Sequence, residues 1–211
     1  MVRVLIVGAS KGIGLATVKA ALSSGHNVRA FARTANGIEL EDVYLEKRRG
    51  DALNEADIDA ALDDVDVVVQ ASGISASALL KPVNMFSNST RILVSSMQKR
   101  GMKRLIAVTG YGAGESRDTI GCVQRVPFLL VLGRAYDDKD IQERLIKNSQ
   151  LDWTIVRPGI LVNGPPTGRY KVLTEASQWR NGIVSRDDVA DFIVRSIDSA
   201  AHIGQAPVIV M

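Results

Sequence analysis

The sequence predicts an α/β domain in which helices cover both faces of a parallel β-sheet. Short β-branched runs alternate along the chain with longer stretches of helical period, and right-handed β-α-β crossovers produce that alternation. With 211 residues, 46% of them hydrophobic, the chain is long enough to bury one large core. We therefore expect a single domain spanning residues 1–211.

The strands are predicted from short, mostly apolar runs, which suit a sheet that is buried on both faces. They are Val2–Val7, Val28–Ala32, Val43–Arg48, Val65–Ala71, Leu105–Val108, Thr154–Val156 and Val208–Val210. Helices are predicted between them because apolar residues recur at helical spacing, as at Leu15, Val18 and Leu22. Another helix is predicted over Val83–Lys99, and Ser185 begins the last one.

Two stretches that contain glycines, 111–135 and 163–181, show no clear helical or strand period. Both follow predicted strands. Because long loops in a compact domain usually cover a site, we expect these two stretches to line the substrate side of the protein.

Composition excludes several classes of function. The net charge is +3, and the only basic run, Lys47–Arg49, is typical of a solvated strand end rather than a nucleic-acid patch. With Cys122 as the sole cysteine and only His26 and His202 as histidines, we expect no disulfide and no metal site. The apolar run Val4–Val7 leads directly into glycines, so we predict a cytoplasmic protein without a membrane partner.

The strongest motif is the glycine-rich segment Gly8-Ala9-Ser10-Lys11-Gly12-Ile13-Gly14, which joins the first strand to the first helix. Gly8 permits a tight turn, Gly12 lets the backbone approach a pyrophosphate, and Gly14 allows the helix to pack on the strand. The amino end of the helix then favours the anion. This context predicts a Rossmann-type, three-layer, doubly wound sheet. The expected cofactor contacts in the loop are Gly8, Ser10, Lys11, Gly12, Ile13 and Gly14.

The residues after the second strand indicate which dinucleotide is bound. An acidic side chain there accepts hydrogen bonds from a ribose 2′-hydroxyl, whereas an arginine pairs with a 2′-phosphate. This strand ends at Arg33 and Thr34 without a carboxylate, and Lys11 adds a second positive charge. We therefore predict NADP(H) as the cofactor, with the alternative that Arg33 is only a solvated turn residue.

Further motifs follow later strands: Gly50-Asp51-Ala52, Ala71-Ser72-Gly73 and Leu151-Asp152-Trp153-Thr154-Ile155-Val156-Arg157-Pro158-Gly159. With the glycine loop they resemble the atypical short-chain dehydrogenase/reductase family, in the NAD(P)H-binding group of flavin reductase/biliverdin reductase B-like and NmrA-like proteins. The likeness covers nearly the whole chain. It includes Gly164-Pro165-Pro166-Thr167-Gly168-Arg169-Tyr170.

The resemblance implies further cofactor contacts. It places Asp51 and Ala52 at the adenine, Ser72, Gly73 and Ile74 along the adenosine ribose, and Pro158, Gly159 and Ile160 at the nicotinamide. Each position also has an ordinary structural alternative, such as a turn or helix cap for Asp51 and a strand terminator for Gly73.

The catalytic residues depart from the family pattern. Ordinary short-chain dehydrogenases carry Tyr-x-x-x-Lys, but here Lys139 is preceded at that spacing by Ala135. Tyr136 is displaced by one residue, so its phenol is expected to point about 100° away from the usual direction. Lys139 is predicted to reach the nicotinamide ribose, with a surface-helix lysine as the alternative.

The segment Thr109-Gly110-Tyr111 follows the fifth strand, where the flavin and biliverdin reductases carry Thr-Ser. The serine is missing. Tyr111 is therefore the next candidate to donate a proton or stack on an acceptor, with loop packing as its alternative. The candidate catalytic residues are Lys139, Tyr111 and Thr109, and Thr109, Gly110 and Lys139 are also expected to contact the cofactor.

These features lead to competing functional hypotheses. The first is an NADPH-dependent oxidoreductase that transfers hydride to a small-molecule acceptor such as a flavin, a quinone or another planar conjugated compound. Such an acceptor needs little acid catalysis from the protein. The second is a non-catalytic, NmrA-like sensor of NAD(P). A sugar-nucleotide epimerase or dehydratase is a weaker third, and a homodimer is left open.

Overall fold

The structure, a computed structural model, describes residues 1–73 and 83–211, with the helical backbone alone for residues 122–131. Within these residues the helices are α1 (Gly12–Ser23), α2 (Glu55–Ala61), α3 (Met85–Lys99), α4 (Cys122–Lys147) and α5 (Arg186–Ile197). The strands are β1 (Arg3–Val7), β2 (Asn27–Ala32), β3 (Leu45–Arg49), β4 (Val67–Gln70), β5 (Arg104–Val108), β6 (Asp152–Pro158), β7 (Ile160–Val162), β8 (Lys171–Leu173), β9 (Ile183–Ser185) and β10 (Val208–Val210). Short 3₁₀ helices lie at Ala35–Gly37, Gly114–Thr119 and Ala176–Gln178.

Eight strands form the main sheet in the order β3-β2-β1-β4-β5-β6-β10-β8, and β7 pairs with β9 in a small second sheet. All neighbouring strands of the main sheet are parallel except β8, which runs antiparallel to β10. The order reverses direction between β1 and β4, as in doubly wound nucleotide-binding sheets. The predicted α/β Rossmann-type fold is confirmed.

Side chains of β1 show how the two faces of the sheet are buried. Val4 and Ile6 enter one apolar cluster, which also contains residues of α1 and α5, whereas Leu5 and Val7 enter a second cluster with residues of α2 and α3. Because successive strand residues point to opposite faces, one continuous apolar run serves both layers. The carboxyl ends of the strands are left as the edge at which a ligand can bind.

The predicted irregular stretch 111–135 is wrong beyond residue 121, because α4 begins at Cys122 and continues to Lys147. Pro127 and Gly133 weaken the helical signal in this part of the sequence. Packing of α4 against α3, through buried residues such as Ala135 and Ile146, stabilises the long helix in spite of them.

The stretch 163–181 also contains a strand that was not predicted, β8, which runs antiparallel to β10 at the edge of the otherwise parallel sheet. No helix lies between β7 and β8, so β8 is not held to the parallel direction that crossover helices impose. The strands β7, β8 and β9 have three residues each. Such short strands give no periodicity that a sequence can reveal.

None of the helices in the described parts of the chain is long and apolar enough to cross a membrane.

Candidate active site

The predicted cofactor residues follow strands β1 to β6, so the parallel sheet brings them to one edge. Ligands of open α/β sheets bind at this edge, beside the point where the strand order reverses. Here that point lies between β1 and β4. The described residues at these strand ends therefore form the candidate dinucleotide site.

The three glycines of the loop after β1 have distinct geometric roles. Gly8 has φ +88°, and a Cβ there would stand 2.8 Å from the carbonyl oxygen of Ala71 at the end of β4. A Cβ at Gly14 would overlap the carbonyl oxygen of Gly8, so only glycine lets α1 pack this closely. Gly12 has φ +60°, and a Cβ there would meet nothing within 4 Å. The space beside Gly12 is thus open to a ligand.

The amino end of α1 fits a phosphate. The preceding residue Lys11 makes no side-chain capping hydrogen bond, and the first turn contains no acidic residue. The first N–H groups of a helix need acceptors from outside it, and the helix dipole favours an anion there. A dinucleotide pyrophosphate at this loop would supply hydrogen-bond acceptors for these N–H groups and a negative charge for the helix dipole.

The end of β2 lies against the glycine loop, because the N–H groups of Gly8 and Ala9 both donate to the carbonyl oxygen of Phe31. Arg33 follows two residues later. Arg33, Thr34 and Lys11 are exposed, and neither cation forms an ion pair with the described residues. This placement suits recognition of a 2′-phosphate.

The expected adenosine contacts lie at the ends of β3 and β4. Asp51 is half-buried, and its Oδ1 accepts a hydrogen bond from the N–H of Leu53 at 3.0 Å, so it stabilises a turn as well. Asn54, not Asp51, caps α2. Ala52 and Ser72 are half-buried and Gly73 is exposed. Ile74 lies outside the described residues.

The end of β5 is held by a buried polar network. The hydroxyl of Thr109 donates to Oε1 of Glu143 at 2.8 Å, and the same oxygen accepts from Nε of Arg157 at 3.0 Å. The carbonyl oxygen of Thr109 accepts from the Lys139 ammonium. In this structure Thr109 therefore positions the strand end, with its hydroxyl bonded inside the protein.

Arg157 lies at the centre of this network. It is fully buried, its Nη2 contacts Glu143 at 2.5 Å and Glu115 at 2.6 Å, and its guanidinium lies 4.9 Å from the Trp179 ring centroid. Partial burial raises the pKa of Glu115, but hydrogen bonds from Lys147 and Arg157 outweigh it and lower that pKa to about 2. The sequence did not predict this network, which joins α4, β6 and the 3₁₀ helix Gly114–Thr119.

The Lys139 ammonium lies among buried groups beside Thr109. Its Nζ is 4.7 Å from the ring centroid of Phe86 and 5.7 Å from that of Tyr136. Burial lowers the pKa of Lys139 to about 8, although the carboxylates of Glu143 and Asp138 oppose this shift. The lysine is therefore mostly protonated at pH 7, close to the expected nicotinamide edge.

The phenol of Tyr136 lies at the same strand end. A Cβ at Gly110 would stand 2.6 Å from the Tyr136 hydroxyl. The phenol thus lies where a serine of the family pattern would place its side chain. Burial raises the pKa of Tyr136 to about 12, so the hydroxyl keeps its proton at neutral pH. The glycine at position 110, where the family pattern has serine, was the one sign in the sequence that another side chain occupies the space beside β5.

Tyr111 occupies a packing position. It is buried, its hydroxyl donates to the carbonyl oxygen of Thr119 at 3.0 Å, and it accepts from the Thr119 hydroxyl at 3.1 Å. The N–H of Tyr111 donates to the carbonyl oxygen of Pro158. This arrangement matches the alternative of loop packing that the sequence left open.

The expected nicotinamide contacts after β6 are contiguous. Pro158 is buried, Gly159 is half-buried, and Ile160 is 56% exposed. A Cβ at Gly159 would overlap the carbonyl oxygen of Gly182, so this position requires glycine. Ile160 is thus exposed directly after a backbone position that packs closely on Gly182.

A family model described as NAD(P)H-binding matches residues 8–200. The chain belongs to this NAD(P)H-binding family. The matched range includes every described position that the sequence assigned to the cofactor.

Related proteins support the assignment to the NAD(P)H-binding family. The chain is 28% identical over 201 residues to the uncharacterized chloroplastic protein At2g34460 of Arabidopsis thaliana, covering 92% of this chain and 71% of that protein. It is 25% identical to the photosystem II assembly factor Ycf39 of Synechocystis, covering 93% of this chain but only 58% of Ycf39. The structure of ChuY, an anaerobillin reductase from Escherichia coli O157:H7, superposes with a TM-score of 0.82 at 26% identity and covers 99% of this chain and 96% of ChuY. The resemblance to atypical short-chain dehydrogenase/reductases is confirmed.

Proposed function

We propose that this NAD(P)H-binding protein is an NADPH-dependent reductase whose acceptor is a flavin, a quinone or another planar conjugated compound. The observation that carries the proposal is the contact of the Tyr136 hydroxyl with Gly110, beside the Lys139 ammonium at the end of β5. A phenol and a cation close to the expected nicotinamide contacts support a role in proton delivery to a reduced acceptor. ChuY, similar over nearly its whole length, is an anaerobillin reductase.

The chain's own residues perform binding, orientation and proton delivery. When NADPH is bound, its nicotinamide supplies the hydride. Lys139 holds the ribose hydroxyls, and the Tyr136 Oη delivers a proton to the acceptor atom that gains negative charge. Burial disfavours loss of that proton by raising the pKa of Tyr136, and the Lys139 ammonium, 5.7 Å from the ring centroid of the phenol, would oppose this effect. The protein thus takes a larger part in acid catalysis than we expected from the sequence for such an acceptor.

Arg33 and Lys11 support NADPH over NADH. Both are exposed cations without an ion pair in the described residues, beside the loop expected to bind the pyrophosphate. A dianionic 2′-phosphate would form charge-assisted hydrogen bonds with these two side chains, whereas a neutral 2′-hydroxyl would leave their charges unpaired.

A non-catalytic sensor of NAD(P) is the second candidate. It is favoured by the hydroxyls of Thr109 and Tyr111, two of the predicted catalytic groups, which are bonded within the protein. In that case Tyr136 would only pack against Gly110, and cofactor binding would change the affinity for another molecule.

Turnover separates the two functions. NADPH oxidation at 340 nm is followed with FMN, riboflavin, menadione and biliverdin, and the purified protein is compared with its Gly12→Val variant, whose branched side chain should abolish cofactor binding. We expect oxidation by wild type with at least one acceptor and none above background by the variant. Tight NADPH binding by calorimetry without turnover on any acceptor would contradict the reductase and favour the sensor.

A further inference from the structure

The small sheet of β7 and β9 has one apolar face turned outward. Leu161 and Val184 point inward and pack in the apolar cluster beneath. Their neighbours Ile160 and Ile183 are direct partners across the two strands and are 56% and 53% exposed, and Val162 is also exposed. Since strand side chains alternate, these three lie on the outer face together with Ser185, the partner of Val162, which is buried at the start of α5. Contiguous exposed apolar side chains can mark an interaction site.

This face continues from the candidate active site and is held in place. Gly159 alone separates Ile160 from Pro158 at the end of β6. The N–H of Ile160 donates a hydrogen bond to the carbonyl oxygen of Gly182 at 2.7 Å. The N–H of Met211 donates a hydrogen bond to the carbonyl oxygen of Ile183 at 2.9 Å. The outer face is therefore presented beside the expected nicotinamide contacts by ordered backbone.

A cation lies at the carboxyl end of the same sheet. Asn163 follows β7 directly, and Arg186 follows β9 directly. Nη1 of Arg186 donates to Oδ1 of Asn163 at 2.7 Å, and within the described residues the guanidinium has no carboxylate partner. One end of the apolar face thus carries an uncompensated positive charge.

The size of the face indicates its occupant. Two strands of three residues present a surface of roughly 10 Å by 10 Å, from the usual strand spacing and rise. A stable protein interface buries roughly 800 Å² on each partner, which is far larger. A fused aromatic ring system has the dimensions of this face.

We propose that the outer face of β7 and β9 binds the acceptor, a flat conjugated ring on Ile160, Val162 and Ile183 with an anionic substituent at Arg186. The inference rests on the proposed reductase function and specifies its acceptor. It also assigns Val162, Ile183 and Arg186, which lie outside the expected cofactor contacts, to acceptor binding.

Equilibrium binding tests the apolar part without turnover. Quenching of flavin fluorescence is titrated with wild-type protein saturated with NADP⁺, and riboflavin and FMN serve as probes. Ile183→Thr and Val162→Thr keep β-branched side chains but remove apolar contact, so each should weaken both flavins about threefold to fivefold. The control is Val43→Thr, because Val43 is 92% exposed and precedes β3 at the opposite edge of the sheet. It should change neither affinity.

The matched pair of flavins tests the charge. They share one ring system, and only FMN carries a phosphate. Arg186→Gln should weaken FMN about tenfold and leave riboflavin within twofold of wild type. Arg144→Gln, an exposed arginine near the end of α4 at the opposite edge, should affect neither.

Several results would overturn the proposal. The first is that wild type binds neither flavin. The second is that Val43→Thr loses as much flavin affinity as the variants of the face, and the third is that Arg186→Gln loses affinity equally for riboflavin and FMN. Concentration-dependent dimerisation by sedimentation that Ile183→Thr abolishes would assign the face to a second copy instead. Any of these can occur while NADPH binding and oxidation persist with another acceptor, so the reductase function is judged separately.

Discussion

The phenolic oxygen of Tyr136 lies 2.6 Å from the point where a Cβ at Gly110 would stand. Any side chain at position 110 would therefore displace the phenol. The glycine and the tyrosine form one unit, in which the missing side chain on β5 makes room for a hydroxyl from α4.

Tyr136→Phe should lower kcat about 10²-fold, because loss of a general acid usually costs about 10² to 10⁴ in rate. The Kd for NADPH should change less than twofold, since the ring and its packing remain. Stopped-flow measurement of NADPH oxidation and calorimetry of cofactor binding give the two numbers. Tyr111→Phe is the control and should leave kcat nearly unchanged.

Gly110→Ala completes the test, because its Cβ would push the Tyr136 phenol aside. Its loss of kcat should resemble that of Tyr136→Phe, and the double variant should be no worse than either single variant. Additive losses would show that the two residues act independently. A loss below threefold in Tyr136→Phe would mean that the protein only positions NADPH.

Local patterns allowed the sheet and the position of the glycine loop at its carboxyl edge to be predicted. The loop from Gly8 to Gly14 joins a strand and a helix that are adjacent in sequence, so its geometry follows from local rules. The contact between Gly110 and Tyr136 joins residues on different elements and depends on a side-chain rotamer. The buried pair Glu143 and Arg157 is of the same kind, since two charged residues carry no sequence signal of burial until the fold brings them together.

Cofactor choice should depend on Arg33. Arg33→Ala is expected to weaken NADPH binding about tenfold or more, because a charge-assisted contact with the 2′-phosphate is lost. NADH binding should be nearly unchanged. Calorimetry with both cofactors measures the two affinities, and Arg144→Ala serves as an exposed control at the opposite edge. Equal losses for NADPH and NADH would remove the 2′-phosphate assignment.

The glycine loop offers a control with matched backbone strain. Gly12 and Gly25 both have positive φ, +60° and +80°, and a Cβ at either meets nothing within 4 Å. Alanine should cost similar stability at the two sites, about 1 kcal/mol. Only Gly12→Ala should weaken NADPH binding at least about tenfold, because only there would the Cβ meet a pyrophosphate. If both variants bind the cofactor normally, this loop does not hold the dinucleotide.

The buried network should contribute unequally through its two carboxylates. Glu143 is almost fully buried against Arg157, whereas the Glu115 side chain is 62% exposed. Glu143→Gln should reduce the free energy of unfolding by about 3 kcal/mol, because it removes the buried counter-charge of Arg157 and leaves only the largely exposed Glu115 carboxylate. Glu115→Gln should cost about 1 kcal/mol or less. Urea denaturation measures both, and equal losses would contradict the assignment of Glu143 as the main partner.

Lys139 should give the reaction an alkaline limb. Its pKa is lowered from 10.5 to about 8, so the ammonium is present at pH 7 and is lost as the pH rises through about 8. The KM for NADPH should therefore rise several-fold between about pH 7 and pH 9, with a smaller change in kcat, since a ribose contact holds ground state and transition state alike.

Lys139→Gln should raise the KM for NADPH at neutral pH and abolish its rise with pH, whereas Tyr136→Phe should retain that rise. The two variants separate the lysine from the phenol, because the pKa of Tyr136, about 12, lies above the range measured. Steady-state kinetics from pH 6 to about 9.5 at constant ionic strength provide the profiles. An alkaline limb that persists in Lys139→Gln would show that another group titrates, and Lys139 would then be a packing residue beneath Thr109 rather than a ligand of the cofactor.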